Sequence, residues 1–286
     1  MTEVVFSGSY GHLTLDELVR KCAVIRAIDR EALFLDLSRI RFFSPVAMAC
    51  VRAAISDAVA KGRLHPDRIQ VRAPKGDRGR YLERMDVLRG YWEPPVMCRR
   101  NEAIGFTPAQ DFSSDDDADR IAEVLETTAG ARMDDEGKQV LLEVVGELMH
   151  NTVDHADTYG GVVTAQSWPT RNVTEIAIAD GGCGVIHSMR RNANYAHLDD
   201  LEIMSIVSSP HVTSTGKATR GNGLARLAGY VKHYGGSLSI QSGNVRHTTT
   251  KNADELHHLS DAGWGGTLVV WQVDTASPQP LAVLKS

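Results

Sequence analysis

Glu147-Leu-Met-His-Asn151-Thr-Val-Asp154-His-Ala156 lies in a stretch where apolar residues return at helical spacing and three polar groups of one kind line up. Leu141, Val145, Leu148 and Thr152 predict a core-facing stripe on a helix from about Asp134 to Ala156. Glu147, Asn151 and Asp154 stand at i, i+4 and i+7, which at about 100° per residue puts them along one line of that helix. Asn151 can supply a neutral oxygen to Mg²⁺, and Glu147 one turn earlier can orient and deprotonate a nucleophile. Taken alone, the helix is better read as having a solvent-facing polar stripe.

Two further segments add to it. Strands at Val162–Trp168 and Asn172–Ala179 lead into Asp180-Gly-Gly-Cys-Gly184. Gly182 and Gly184 remove side chains that would keep a flat base from the backbone, and a carboxylate at Asp180 can accept from an exocyclic amine. An ordinary strand-to-helix turn also explains an Asp-Gly pair. Residues 208–220 lack apolar periodicity and read as a mobile loop with Lys217 and Arg220. The loop ends at Gly221-Asn222-Gly223-Leu224, where a helix with Leu227 and Val231 begins. Glycines at a helix start free backbone N–H groups for phosphate oxygens, with Lys217 or Arg220 able to close over them. The closing strands are Ser237–Gln241 and Thr267–Val273, separated by a polar insertion at residues 247–260 without an evident role.

The first hundred residues alternate short apolar runs with helical patterns: strands at Glu3–Phe6, Ala32–Leu37 and Arg68–Arg72, and helices at Leu15–Ile28, Pro45–Ala60 and Arg78–Leu88. Such alternation predicts an α/β layer structure. Pro94, Pro95, Pro108 and Ser113-Ser114 mark a connection, and Asp115-Asp116-Asp117 reads as the acidic first turn of a helix capped by Ser114.

The chain has 286 residues, which favours two domains. Its net charge of -5 argues against nucleic acid as the main partner. The charge is divided: residues 1–110 hold 18 Lys and Arg against 13 Asp and Glu, and the remainder 13 against 23. The basic run Lys75, Arg78, Arg80, Arg84 and Arg89 reads as a solvated helix face or a dock for an acidic surface. Cys22, Cys50, Cys98 and Cys183 are too dispersed for a CxxC metal pair or a disulfide framework, so reduced thiols in the cytoplasm are expected. No stretch approaches the roughly 18 apolar residues of a membrane span.

The three glycine- and acid-bearing segments, with the Gly266-Thr267 strand, resemble the GHKL superfamily of Bergerat-fold ATPases and kinases, which includes DNA gyrase and histidine kinases. The resemblance covers about residues 115 to 275. It implies Glu147 as the catalytic or water-orienting acid, Asn151 as the Mg²⁺ ligand and Asp180 as the adenine contact. It also implies a nucleotide-binding set of Asn151, Asp154, Asp180, Gly182, Gly184, Lys217, Arg220, Gly221, Asn222, Gly223, Leu224 and Thr267. Asn151 followed by His155-Ala156 is most similar to the anti-sigma-factor serine kinases.

Leu35-Asp-Leu-Ser-Arg-Ile-Arg-Phe-Phe-Ser44-Pro-Val-Ala47 resembles the central strand and turn of STAS domains, the partners of those kinases. The family's phospho-acceptor aligns with Val46, and Ser44 is a substitute or a helix N-cap. Together the resemblances imply a STAS-like α/β domain at residues 1–100, a linker at 101–114, a Bergerat-fold α/β sandwich at 115–276 and a tail at 277–286. The sandwich is expected to have a mixed sheet with helices on one face. The implied function is an ATP- and Mg²⁺-dependent protein Ser/Thr kinase-like regulator acting on a STAS-like or signalling protein. The alternatives are a non-catalytic ATP-dependent switch and a slow ATPase working as a homodimer.

None of the eleven histidines precedes an acidic residue, unlike the acceptor site of histidine kinases. About a dozen residues follow the last strand, leaving no further domain to donate a phosphate-binding Lys. Fast hydrolysis is therefore not expected.

Overall fold

Alternating β and α segments at the N-terminus form β1 (Thr2–Tyr10), α1 (Leu15–Arg26), β2 (Leu33–Phe43), α2 (Pro45–Ala60), β3 (Ile69–Arg72) and α3 (Asp77–Arg84). This computed structural model describes residues 1–91, 105–155, 159–210, 212, 223–259 and 263–275, without the side chains of Arg132, Asp154 and His155. The three strands make a parallel sheet in the order β1-β2-β3. Parallel neighbours need crossover connections, which α1 and α2 provide.

The rest of the described chain forms β4 (Phe106–Phe112), α4 (Asp115–Thr128), α5 (Asp135–Val140), a π-helical turn at Leu141–Val145, α6 (Gly146–His155), β5 (Gly161–Trp168) and β6 (Val173–Asp180). Then come α7 (Gly184–Arg190), α8 (Asp200–Ile206), α9 (Gly223–Tyr234), β7 (Ser237–Gly243), β8 (Val245–Thr250), β9 (Asp254–His258) and β10 (Trp264–Asp274). Seven of these strands form one sheet in the order β4-β5-β6-β10-β7-β8-β9, and every neighbouring pair is antiparallel. The expected mixed sheet is therefore corrected to an antiparallel one.

Helices cover both faces of that sheet, not one. Ile176 and Ile178 of β6 join a core with Val144, Val145 and Met149 of the long helix, Ile186 of α7 and Leu227 of α9. Ala177 and Ala179, on the opposite face by the two-residue period of a strand, join the core of the N-terminal unit. The element between the two sheets is α2. Its residues from Pro45 to Ala58 are all buried, as expected of a helix with small and apolar residues on every side. The helix is rich in small residues, Ala47, Ala49, Ala53 and Ala54 among them, and packs on β5 and β6, whose face is itself small at Ala177 and Ala179.

The few polar groups of α2 are paired. Arg52 Nε donates to Asp111 Oδ1 of β4 at 3.0 Å, and Arg52 Nη1 to the carbonyls of Asp86 at 2.9 Å and Arg89 at 3.1 Å. Ser44 holds the N-cap position, yet its hydroxyl makes no cap bond. It donates instead to Oε1 of buried Glu175 in β6 at 2.8 Å, and Val46 N donates to the same oxygen at 3.0 Å. A carboxylate from the other sheet thus replaces the expected hydroxyl cap and meets the positive end of the helix.

Three further expectations change. The span read as a linker contains β4, which pairs with β5; Pro108 is tolerated because β4 is an edge strand with a register shift between Thr107 and Gln110. The insertion at residues 247–260 supplies β8 and β9, which extend the sheet. Along the long helix, Leu141 and Val145 are buried but Leu148 and Thr152 are only partly so, and Met149 is fully buried. The π turn inserts extra residues into one turn, so an uninterrupted 3.6-residue period does not carry through it. Ser114 caps α4 as expected, accepting from Asp117 N at 3.2 Å.

Candidate functional site

Strand period places Asp180 and Thr267 on the face covered by the long helix, α7 and α9, in line with Ile176, Ile178 and Val269. There Asp180 Oδ1 accepts from Gly182 N at 2.8 Å and Oδ2 from Thr267 N at 3.1 Å. Thr267 Oγ1 accepts from Val185 N at 3.0 Å, tying the first turn of α7 to β10. The Asp180 carbonyl accepts from Trp264 Nε1 at 2.8 Å. Burial pushes the Asp180 carboxyl up to about 6, against the lowering effect of its backbone hydrogen bonds and of Arg26. The result is a buried, oriented acceptor at the end of a strand, flanked by glycines.

Gly184 opens α7 with φ +80°, and a Cβ there would stand 2.8 Å from the Gly266 carbonyl. Both the backbone angle and the space require glycine. Gly223, at the start of α9, packs against Glu147: a Cβ would come within 2.8 Å of Glu147 Oε2. The long helix and the glycine-bearing start of α9 therefore meet at the Glu147 carboxylate. Residues Gly146–His155 are regular α-helix, so Glu147 and Asn151 lie one turn apart on the same side. Both are half-buried.

Of the residues singled out in the sequence, Asp180, Gly182, Gly184 and Thr267 form one hydrogen-bonded or closely packed group, and Glu147 and Gly223 a second. Leu224 packs at the edge of the helix-side core. Lys217, Arg220, Gly221, Asn222 and the side chain of Asp154 lie outside the described residues. Sequence reasoning named the Gly266-Thr267 strand but did not single out Trp264 or the Val185 amide. The Gly265-Gly266 pair before Thr267 was the available signal for close backbone approach.

Among the described residues no group of three or more His, Cys, Asp or Glu side chains is placed to hold a metal. Asn151 provides one oxygen, so a divalent ion here fits only as a partner of phosphate oxygens, which would complete its shell. A cleft of about 550 Å³ between α5 and α9, with Glu136, Tyr230 and Tyr234 in its lining, shares none of the site residues. Among the described residues no helix is long and apolar enough to cross a membrane. Compared with protein-family models, curated proteins and solved structures, the chain gives no match.

Proposed function

We propose that the chain is an ATP-binding regulator of the GHKL type that transfers phosphate from Mg-ATP to Ser or Thr of a protein partner. The observation that carries this reading is the buried Asp180 carboxylate at the end of β6, fixed by the amides of Gly182 and Thr267. An oriented acceptor in low dielectric suits an adenine amine, because hydrogen bonds strengthen where water is excluded.

In this reading Glu147 accepts the proton of the attacking hydroxyl, and Asn151 orients the ion that accompanies the phosphates. Mg²⁺, when bound, neutralises phosphate charge. The backbone N–H groups expected at Gly221, Asn222 and Gly223 would serve the phosphates, with Lys217 and Arg220 as counter-charges. Val46 and Ser44 of the STAS-like unit are buried, and the Ser44 hydroxyl is bonded to Glu175. An acceptor hydroxyl on a separate protein fits this arrangement better than self-modification at Ser44.

The test combines γ-labelled ATP with the full chain and STAS-like partners. Glu147→Gln should keep nucleotide affinity and lower transfer by about 10²-fold or more. Asn151→Ala should remove the Mg²⁺-dependent part of the affinity while the thermal midpoint holds. Undiminished transfer by Glu147→Gln would discard its role as base. Retention of intact nucleotide without any transfer would favour a conformational switch, and steady release of free phosphate a slow ATPase.

A further inference from the structure

The turn that ends β6 is held from two sides, and the outer side belongs to the N-terminal unit. The Gly181 carbonyl accepts from Arg26 Nη2 and from Lys61 Nζ, each at 3.3 Å. Arg26 is the last residue of α1 and Lys61 the C-cap of α2. Both cations are gathered by Asp57, whose side chain is fully buried: Arg26 Nε lies 3.2 Å from it, Lys61 Nζ 2.6 Å and Arg63 Nη2 3.2 Å. The Arg26 guanidinium also lies 5.2 Å from the ring centre of Trp264, the residue that donates to the Asp180 carbonyl. A Cβ on Gly181 would come within 2.5 Å of Asp57 Oδ1, so the turn and the cluster are in direct contact.

The consequence follows from the peptide bond. The Gly181 C=O and the Gly182 N–H belong to one planar trans amide and point in opposite directions. Two cations on the carbonyl fix the plane of that amide, and its N–H is the group that donates to Asp180 Oδ1 at 2.8 Å. Positive charge at the oxygen also polarises the amide and strengthens its N–H as a donor.

We infer that the N-terminal unit is a working part of the nucleotide site: Arg26 and Lys61, gathered by Asp57, are positioning residues that orient the Asp180 carboxylate through the Gly181–Gly182 peptide. Purine binding and docking of the N-terminal unit then favour each other, because a coupling free energy between two sites is reciprocal. The inference rests on the reading of Asp180 as the base contact. The charged groups of the N-terminal unit at the turn are Arg26 from α1, Asp57 and Lys61 from α2, and Arg63 beyond it. Arg26 counteracts the effect of burial on Asp180, so its removal should raise the pH at which base recognition is lost.

The experiment titrates ATP into the full chain on both sides of pH 6, for the unaltered protein, Arg26→Met, Arg26→Lys and Lys61→Met. Arg26→Met should weaken binding about tenfold and move the acidic midpoint of affinity upward, and Lys61→Met should weaken it about threefold. Arg26→Lys should restore the midpoint, since it restores the charge. A purely structural role would lower the thermal midpoint and leave the pH profile in place. Should Arg26→Met not fold, Lys61→Met, at a side chain 31% exposed, carries the test. ATP should also slow amide exchange in the last turns of α1 and α2. If the unaltered chain binds ATP and the folded variants match it in affinity and pH midpoint, this inference alone is overturned. If the unaltered chain binds no purine nucleotide, the reading beneath it falls as well.

Discussion

Strand β6 carries two buried carboxylates on opposite faces of one sheet, and their partners differ in kind. Glu175 faces the N-terminal unit and accepts from Ser44 Oγ, from Val46 N and, at 2.7 Å, from Gln272 Nε2. These donors include the N-terminus of α2, which no ligand can displace without undocking the helix. Asp180 accepts from its own turn and from β10, at a strand end lined by glycines. Burial of an acid therefore does not by itself mark a site. What separates the two is whether the donors come from the start of a helix of the other unit or from the amides of the acid's own turn and neighbouring strand.

The comparison would break most sharply at Glu175. Glu175→Ala leaves two donors at the start of α2, Ser44 Oγ and Val46 N, unpaired in a closed interface, so it should cost roughly 3 kcal/mol of stability by urea unfolding. ATP affinity of the folded fraction should persist. A cost below about 1 kcal/mol would show that water reaches this interface.

Gly223→Ala is the next largest change. An exposed helical Gly→Ala stabilises by up to about 1 kcal/mol. Here the added methyl meets Glu147 Oε2 and Val144 Cγ1, so a loss of roughly 1–2 kcal/mol is expected, with weaker ATP binding. A gain in thermal midpoint would mean that α9 and the long helix do not meet as described.

The third prediction concerns pH. Asp180 stands at about 6 in the folded chain against an ordinary 3.8, so folding favours its protonated form. Its contribution to stability is then fully present below 3.8 and lost as pH rises through about 6, whereas base recognition by the carboxylate runs the other way. On acidification through 6 the stability of the unaltered chain should improve relative to Asp180→Asn while its ATP affinity falls. Affinity that is flat across this range would separate Asp180 from the base. The smallest effect is expected at the sheet periphery: Leu256→Ser, in a strand exposed at every position, should change stability by roughly 0.5 kcal/mol or less and leave affinity unchanged.

Much of the architecture was legible because its signals are local. Pro45 at a helix start, the βαβ alternation before it, and the Ser114 cap before three aspartates each act within a few residues. β9 was not legible because Asp254–His258 is exposed on both faces and shows no alternation. β4 was masked by Pro108, which an edge strand accommodates. The π turn displaced the inward stripe of the long helix by a residue, putting Met149 inside where Leu148 was expected.

At the candidate site, the Asp180 turn and Gly223, which opens α9, could be read from short motifs, because glycine reports close approach. The clamp on Gly181 could not. Its donors lie 155 and 120 residues away, and no local pattern in Arg26 or Lys61 distinguishes them from solvated cations.

The most direct test of the account is a calorimetric titration of the full chain with ATP, with and without Mg²⁺ and with GTP as comparison, above the pH at which Asp180 titrates. Saturable binding of ATP that Mg²⁺ tightens, GTP binding much more weakly, and both responses to ATP vanishing in Asp180→Ala, is the expected result. Equal binding of the two nucleotides, or no heat from either, would contradict it.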